Sequence, residues 1–241
     1  MKKINLIITY LYHSGFKVEI EDNLLIFDYY QPFFTLSGDN SPGIITGDSL
    51  IGKSPVYVFS SHNHHDHFDS KILGWAETNP EITYILSDDI KNHPKKGNLR
   101  QIKPYQKFED GIVSVQTFGS TDQGVSFLVH VNGINIFHAG DLNWWYWKED
   151  TEAEREKASK AFKGEIEKIK GHPIDIAFFP VDPRLEEFYA FGADYFIKEV
   201  TPKVLIPMHF GDNYQVTGLF KNKNLPVKTV EIKQRGQKLN L

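Results

Sequence analysis

Four histidines and two aspartates fall within the eight residues 62–69, and this cluster constrains the chain more than any other feature. It follows the apolar run at residues 56–59. A short β-branched and aromatic run of this kind predicts a buried strand, so the cluster is expected where that strand opens into a loop. Imidazole nitrogens bind zinc-like ions at about 2.0–2.1 Å, and a loop on a rigid strand end lets several of them converge. The cluster therefore predicts a metal site.

The spacing within the cluster suggests how the ligands divide. In an extended segment His62 and His64 point to the same side, and a turn at His65 brings Asp66 and His67 around to a second position. Such an arrangement holds two ions a few ångströms apart, or holds one ion and orients it through supporting hydrogen bonds. The alternative is a solvated histidine-rich loop that binds metal adventitiously, which is the usual reading for a single histidine.

The pattern His62-x-His64-x-Asp66-His67 resembles the signature of the metallo-β-lactamase superfamily. Further segments are similar to the family's remaining motifs in the expected order: Asp28 after the apolar run 24–27, Asp141 at the end of 137–141, and His209 within 205–210. The resemblance extends from about residue 5 to residue 215.

This resemblance implies an α/β fold, the four-layer αββα sandwich of the metallo-β-lactamase fold, as a single domain over residues 1–241. It also implies a set of metal ligands, namely His62, His64, Asp66, His67, Asp141 and His209. Among them Asp66, His64 and Asp141 are the predicted catalytic residues, with Asp141 bridging two ions in family members. His65 is expected to support the ligands or to face solvent.

Residues 119–124 depart from the family pattern, because members usually carry a further histidine ligand there and this chain has none. The resemblance then leaves His62, His64 and Asp141 at the first metal position, whereas the second keeps its full ligand set. Asp122 or Ser120 is a candidate oxygen ligand, which would favour Mn²⁺ or Fe²⁺ over Zn²⁺. Otherwise the first position is weak or empty and a single ion does the chemistry. We expect Zn²⁺, bound as one or two ions, and the choice between these arrangements stays open.

Composition limits the partners and the compartment. The 241 residues carry a net charge of −4, which disfavours nucleic acid and anionic membranes as partners. Cysteine is absent, so disulfides and thiolate metal sites are excluded and a soft-metal site must use histidine. No run approaches the length of a membrane span. We expect a soluble, cytoplasmic protein with a small-molecule substrate.

Several elements are predicted from local pattern. Asn132-Gly133 between two apolar runs predicts a hairpin, and Thr151 with Glu154 predicts the capping box of a long helix. Residues 88–98 are polar and predict a surface turn. The punctuated segment 30–50, with apolar Phe33, Phe34 and Leu36, predicts a loop that covers substrate.

Three further features carry two interpretations each. Residues 144–147 contain three of the four tryptophans and form a pocket wall or a core corner. His13 contacts substrate, which the resemblance suggests for its turn, or bonds its own backbone. Arg184 clamps an anionic group of the substrate or pairs with Asp182 or Glu187.

The predicted reaction is hydrolysis of an ester, lactone or related bond by a metal-activated water. Within the superfamily the chain looks most like the small hydrolases related to L-ascorbate-6-phosphate lactonase. Two alternatives remain: a phosphodiesterase or nuclease of the same fold, and a non-catalytic metal- or ligand-binding protein, which the missing histidine makes plausible. The fold hosts many chemistries, so the substrate does not follow from it.

Overall fold

The computed structural model describes residues 4–32, 41–239 and 241. In these residues the strands are β1 Leu6–Tyr12, β2 Gly15–Ile20, β3 Asn23–Phe27, β4 Val56–Ser60, β5 Thr83–Ser87, β6 Asn98–Ile102, β7 Lys107–Glu109, β8 Val113–Phe118, β9 Ser126–Val131, β10 Ile134–His138, β11 Ile176–Pro180, β12 Val204–Met208, β13 Lys228–Thr229 and β14 Lys238–Leu239. The α-helices are α1 Glu152–Ile169, α2 Phe191–Val200 and α3 Gln215–Lys221. Short 3₁₀ helices cover Asp48–Leu50, Ser70–Glu77 and Pro183–Phe188. None of the helices in the described ranges combines the length and apolar character needed to cross a membrane.

The chain forms two compact units, and each contains one seven-stranded mixed sheet. The first unit comprises Met1–Ile102 and Gln234–Leu241, and the second comprises Lys103–Lys233. The prediction of a single domain is not tested by this division and stays a prediction.

The sheet of the first unit has the order β14-β1-β2-β3-β4-β5-β6. Strands β1 to β3 pair antiparallel, and β3 to β6 pair parallel. Phe27 lies opposite Phe59 in the β3–β4 ladder, so the carboxyl ends of these two strands meet at the same edge. Both strands are buried throughout, as the continuous apolar runs predicted. This edge is where the histidine cluster begins.

The sheet of the second unit has the order β13-β12-β11-β10-β9-β8-β7. Strands β10 to β13 pair parallel, so residues that follow β10, β11 and β12 share one edge. Helices α1 and α2 bury aromatic side chains against this unit's strands: Phe162 lies edge-on to Phe179, and Phe196 stacks on Phe179 with ring centroids 4.5 Å apart. Each phenylalanine buried in this way contributes about 1.5–3 kcal/mol.

Most of the predicted elements are confirmed. The hairpin joins β9 and β10 at Asn132-Gly133, where both residues have positive φ, and the capping box at the start of α1 is present. The segment that follows the histidine cluster, Ser70–Glu77, forms a 3₁₀ helix. The surface-turn prediction for residues 88–98 missed where β6 begins, because the exposed edge strand Asn98–Ile102 has little apolar periodicity. The proposed covering residues Phe33, Phe34 and Leu36 lie outside the described part of the chain.

Candidate functional site

The histidine cluster of the first unit is built on the buried carboxylate of Asp28. Asp28 directly follows β3, and its backbone N–H donates to the carbonyl of Phe59 in β4. Its two carboxylate oxygens accept from the Ser61 N–H and the Ser61 hydroxyl, each at 2.7 Å. The His67 Nδ1 lies 2.7 Å from the same carboxylate, and neither side chain is exposed to solvent. Asp28 therefore fixes both ends of the loop.

The loop turns where the sequence predicts. The backbone N–H groups of His67 and Phe68 both donate to the His64 carbonyl, which closes a tight turn around His65 and Asp66. His65 is exposed, in agreement with its expected solvent-facing position.

Two ligand groupings result within the first unit. His62 Nε2 lies 3.0 Å from His64 Nδ1, and the Nδ1 of the fully buried His62 lies 3.0 Å from the Ser61 hydroxyl. His13, Asp66 and His67 each offer a ligand atom, and these three atoms all lie within 4.8 Å of one another. The turn at His65 thus divides the cluster into an upstream pair and a downstream group.

The second unit carries its predicted ligands at the carboxyl edge of its sheet. Asp141 follows β10 through a turn in which the Leu142 N–H donates to the Ala139 carbonyl. His209 follows β12, and its Nε2 lies 3.2 Å from the Asp141 Oδ1, with both side chains almost fully buried. Asp122 and Asp141 also offer carboxylate oxygens within 4.8 Å of each other.

A second carboxylate–histidine pair supports His209. Asp182 follows β11, the neighbour of β12, and its Oδ2 lies 3.0 Å from the His209 Nδ1. The Arg184 guanidinium donates to both oxygens of Asp182, with the Nε at 3.0 Å from each. Burial raises the pKa of the Asp182 carboxyl, but the hydrogen bonds from His209 and Arg184 outweigh burial and hold that pKa at about 2, below the ordinary 3.8. Arg184 therefore pairs with Asp182, the structural interpretation of the two considered.

Residues 119–124 are tied to the Asp141 turn by a side chain that the sequence did not single out. The Thr121 hydroxyl donates to the Asn143 carbonyl at 2.6 Å and accepts from the Asn143 N–H at 2.9 Å. Thr121 therefore fixes the segment that carries Ser120 and Asp122. The Asp122 N–H donates to the Ser120 hydroxyl at 3.2 Å, so Ser120 is engaged locally.

Tryptophans line the surface beside His209. The rings of Trp145 and Trp147 are nearly parallel at 6.1 Å, and Trp145 contacts the His209 ring edge-on at 5.5 Å. The Trp145 Nε1–H donates to the Asp141 carbonyl. All three indoles are half-buried. Trp145 and Trp147 lie beside His209, as expected of a pocket wall, and Trp144 stacks on the buried Phe162 of α1.

The donor set fits a divalent metal. Two ligands of one tetrahedral zinc ion at about 2.0–2.1 Å lie roughly 3.3 Å apart. The 3.0 Å between His62 and His64 and the 3.2 Å between His209 and Asp141 are close to this separation. Metal-binding histidines also usually hydrogen-bond a carboxylate through the second ring nitrogen, as His67 and His209 do with Asp28 and Asp182.

Asp28, Ser61, Asp182 and Thr121 complete the surroundings of the ligands. Asp28 was predicted from its motif position. Asp182 was a candidate only because it lies in a turn between two prolines. Its bond to His209 depends on the pairing of β11 with β12, which no local sequence pattern predicts.

Comparisons with known proteins agree with this architecture. A UPF0173 metal-dependent hydrolase of Symbiobacterium thermophilum is 28% identical over 217 residues, covering 85% of this chain and 84% of the relative. Two solved structures share the fold: Igni18, a metallo hydrolase from Ignicoccus hospitalis (TM-score 0.64, 15% identity, 97% of each chain), and the metallo-beta-lactamase fold protein YhfI from Bacillus subtilis (TM-score 0.63, 13% identity, 98% and 99% coverage). These similarities confirm the predicted α/β metallo-β-lactamase fold.

The model of one protein family, the beta-lactamase superfamily domain, matches residues 7–156, which is more than half of the chain. That stretch includes the histidine cluster and Asp141. The chain therefore belongs to the family described by this model, the beta-lactamase superfamily domain.

Proposed function

We propose that this protein is a metal-dependent hydrolase that cleaves an ester or lactone bond in a small molecule, and that its divalent ions are held by His62, His64, Asp66, His67, Asp141 and His209. The observation that carries the proposal is the repeated carboxylate–histidine pair. His67 on Asp28 and His209 on Asp182 both present the remaining ring nitrogen as a ligand, in the manner of zinc enzymes. The curated relatives that the chain resembles carry the name metal-dependent hydrolase.

Bound divalent metal lowers the pKa of water toward neutrality and polarises the bond under attack. The residues of the chain orient and support the ligands. Asp28 fixes the His67 ring through Nδ1, and the Ser61 hydroxyl links the same carboxylate to His62. The Asp66 side chain is 29% exposed, so substrate and water reach this carboxylate more easily than the buried Asp28.

Two features favour a small ester or lactone over a phosphodiester. The half-buried pair Trp145 and Trp147 provides an apolar, flat wall beside His209 that suits an uncharged ring or acyl group. Of the three candidate cations for a phosphate-binding rim, Arg184, Lys95 and Lys96, two are paired within the protein: Arg184 with Asp182, and Lys96 with Glu77 at 2.8 Å. A lactonase-type substrate is therefore the finer proposal, with zinc as the metal, and Mn²⁺ or Fe²⁺ where Asp122 serves as a ligand.

The test is metal-dependent turnover. Protein purified without chelator is assayed with aryl esters, lactones and bis-nitrophenyl phosphate, then again after chelation and after addition of Zn²⁺ or Mn²⁺. We expect ester or lactone cleavage that is lost on chelation and regained with metal. His64→Ala and Asp66→Ala are expected to abolish it, whereas His93→Ala, an exposed histidine elsewhere in the first unit, retains it.

Preferential cleavage of bis-nitrophenyl phosphate would replace the ester or lactone assignment with phosphodiesterase activity. Metal content without turnover of any of these substrates would favour a metal-binding protein. Failure to bind metal under any loading condition would contradict the proposal as a whole.

A further inference from the structure

His13 lies at the tip of the β1–β2 hairpin, within reach of the downstream ligand group. The turn is short, because Tyr12 and Gly15 already pair across the two strands. The His13 backbone N–H donates to the Tyr10 hydroxyl at 2.8 Å, and the side chain is only 12% exposed. This bond fixes the backbone of the turn that carries the imidazole.

The His13 ring faces two predicted metal ligands. Its Nε2 lies 3.4 Å from the Asp66 Oδ2, and its ring meets the His67 ring nearly at right angles with centroids 5.7 Å apart. Ligand atoms of His13, Asp66 and His67 all lie within 4.8 Å of one another. The Nε2 to Oδ2 separation is close to the roughly 3.3 Å between two ligands of one tetrahedral ion.

The backbone of His13 indicates that its position is maintained at a cost. Its φ is +53°, in the left-handed region that glycine adopts freely and a histidine adopts with strain. Strained conformations of this kind persist where the surroundings over-determine them, commonly at functional sites. Eight other non-glycine residues in the described part of the chain also have positive φ, among them Asp28 and His209 at 40° and 66°, but also Glu21 at 49° in the turn between β2 and β3. Positive φ therefore agrees with a functional position but does not establish one, and the assignment rests on the distances from His13 to Asp66 and His67.

We infer that His13 is a direct metal ligand, joining Asp66 and His67 in a His-Asp-His donor group of the first unit. This inference deepens the proposed function and rests on it. It adds a nitrogen ligand from the N-terminal hairpin to the downstream group of Asp66 and His67. Three donors from one unit give the downstream group a stronger hold on a borderline ion such as Zn²⁺ or Co²⁺ than a carboxylate and one imidazole alone.

The experiment measures metal binding itself. Chelator competition gives the Zn²⁺ affinity and elemental analysis the stoichiometry of wild type, His13→Gly, His13→Gln and His67→Ala, with the exposed His93→Gln as the matched control. The visible spectrum of the Co²⁺-loaded proteins reports the ligand set. His13→Gly serves as the folding control, since glycine adopts positive φ without steric cost, so its metal-free form should melt no lower than wild type.

We expect both His13 variants to lose affinity by about 100-fold or more and to alter the Co²⁺ spectrum, as His67→Ala does. Loss of a merely supporting partner costs about 10- to 100-fold and leaves the ligand set intact. Smaller losses with an unchanged Co²⁺ spectrum would therefore overturn the inference and reduce His13 to a positioning residue. Loss in His67→Ala alone would overturn it while leaving the hydrolase proposal standing. Unchanged Zn²⁺ affinity and stoichiometry in His67→Ala as well would show that the downstream group holds no metal, which would overturn this inference and the assignment of His67 as a ligand, whereas the hydrolase proposal would then depend on the other ligands.

Discussion

The two units hold a histidine in the same way but treat the supporting carboxylate differently. In the first unit Asp28 is fully buried and accepts from Ser61 twice and from His67. In the second unit Asp182 is equally buried, yet its second partner is Arg184, whose side chain is 57% exposed. The Asp28 carboxylate is therefore surrounded by buried groups of the loop, whereas the charge of the Asp182 carboxylate is neutralised by an arginine that is partly exposed to solvent.

This difference determines what happens when either carboxylate is lost. Removal of Asp28 leaves the two Ser61 donors and the His67 ring nitrogen without their acceptor inside the protein, where water cannot replace it. Removal of Asp182 leaves the His209 ring nitrogen without its acceptor in the same way, but the Arg184 side chain can turn to solvent. The first pair should therefore matter more for stability, although both should matter for metal binding.

The largest effect is expected for Asp28→Ala. Each buried donor left without an acceptor costs about 1–3 kcal/mol, so we expect the free energy of unfolding of the metal-free protein to fall by at least about 3 kcal/mol. Urea denaturation measures the loss, and Asp28→Asn, which keeps one acceptor oxygen, should lose less. A decrease below about 1 kcal/mol would mean that the Asp28 bonds are not what holds the loop.

A smaller, pH-dependent effect is expected for Asp182→Asn. The folded pKa of Asp182, about 2, lies below its ordinary value of 3.8. Its contribution to stability is therefore complete above about pH 4 and is lost as the pH falls toward 2. The shift of nearly two units corresponds to about 2 kcal/mol at neutral pH.

Urea denaturation of the metal-free wild type and Asp182→Asn, carried out at several pH values, tests this expectation. The difference between the two proteins should be constant at about pH 5–7 and should shrink below about pH 4. A difference that stays constant down to about pH 2.5 would show that Asp182 contributes through packing and not through its charge.

The same contrast explains what the sequence could predict. The ligands of the first unit are contiguous, so the spacing of His62, His64, Asp66 and His67 indicated a metal site and even the turn at His65. The parallel pairing of β3 with β4 then brings Asp28 to the loop, and that motif position had been identified from the resemblance. Whether the six predicted ligands act as assigned remains a prediction.

The site of the second unit was less accessible to pattern. Asp141, Asp182 and His209 are far apart in sequence and are neighbours because β10, β11 and β12 are adjacent and parallel. The bond of Thr121 to the Asn143 backbone depends on the same tertiary placement. Strand β6 was missed for a different reason: because it is an exposed edge strand, its sequence does not alternate between apolar and polar residues.

Helix α1 offers the smallest effect and separates stability from metal binding. Its capping box joins Thr151 and Glu154: the Thr151 hydroxyl accepts from the Glu154 N–H, and the Glu154 carboxylate accepts from the Thr151 N–H. Thr151→Ala removes the cap and should cost about 1 kcal/mol in the free energy of unfolding, whereas Thr151→Ser should cost almost nothing. Neither variant should change metal stoichiometry, because the cap touches none of the proposed ligands. A loss of metal in Thr151→Ala would mean that a modest loss of stability is enough to release the metal. Metal loss in the Asp28 and Asp182 variants could then no longer be attributed to their bonds with His67 and His209.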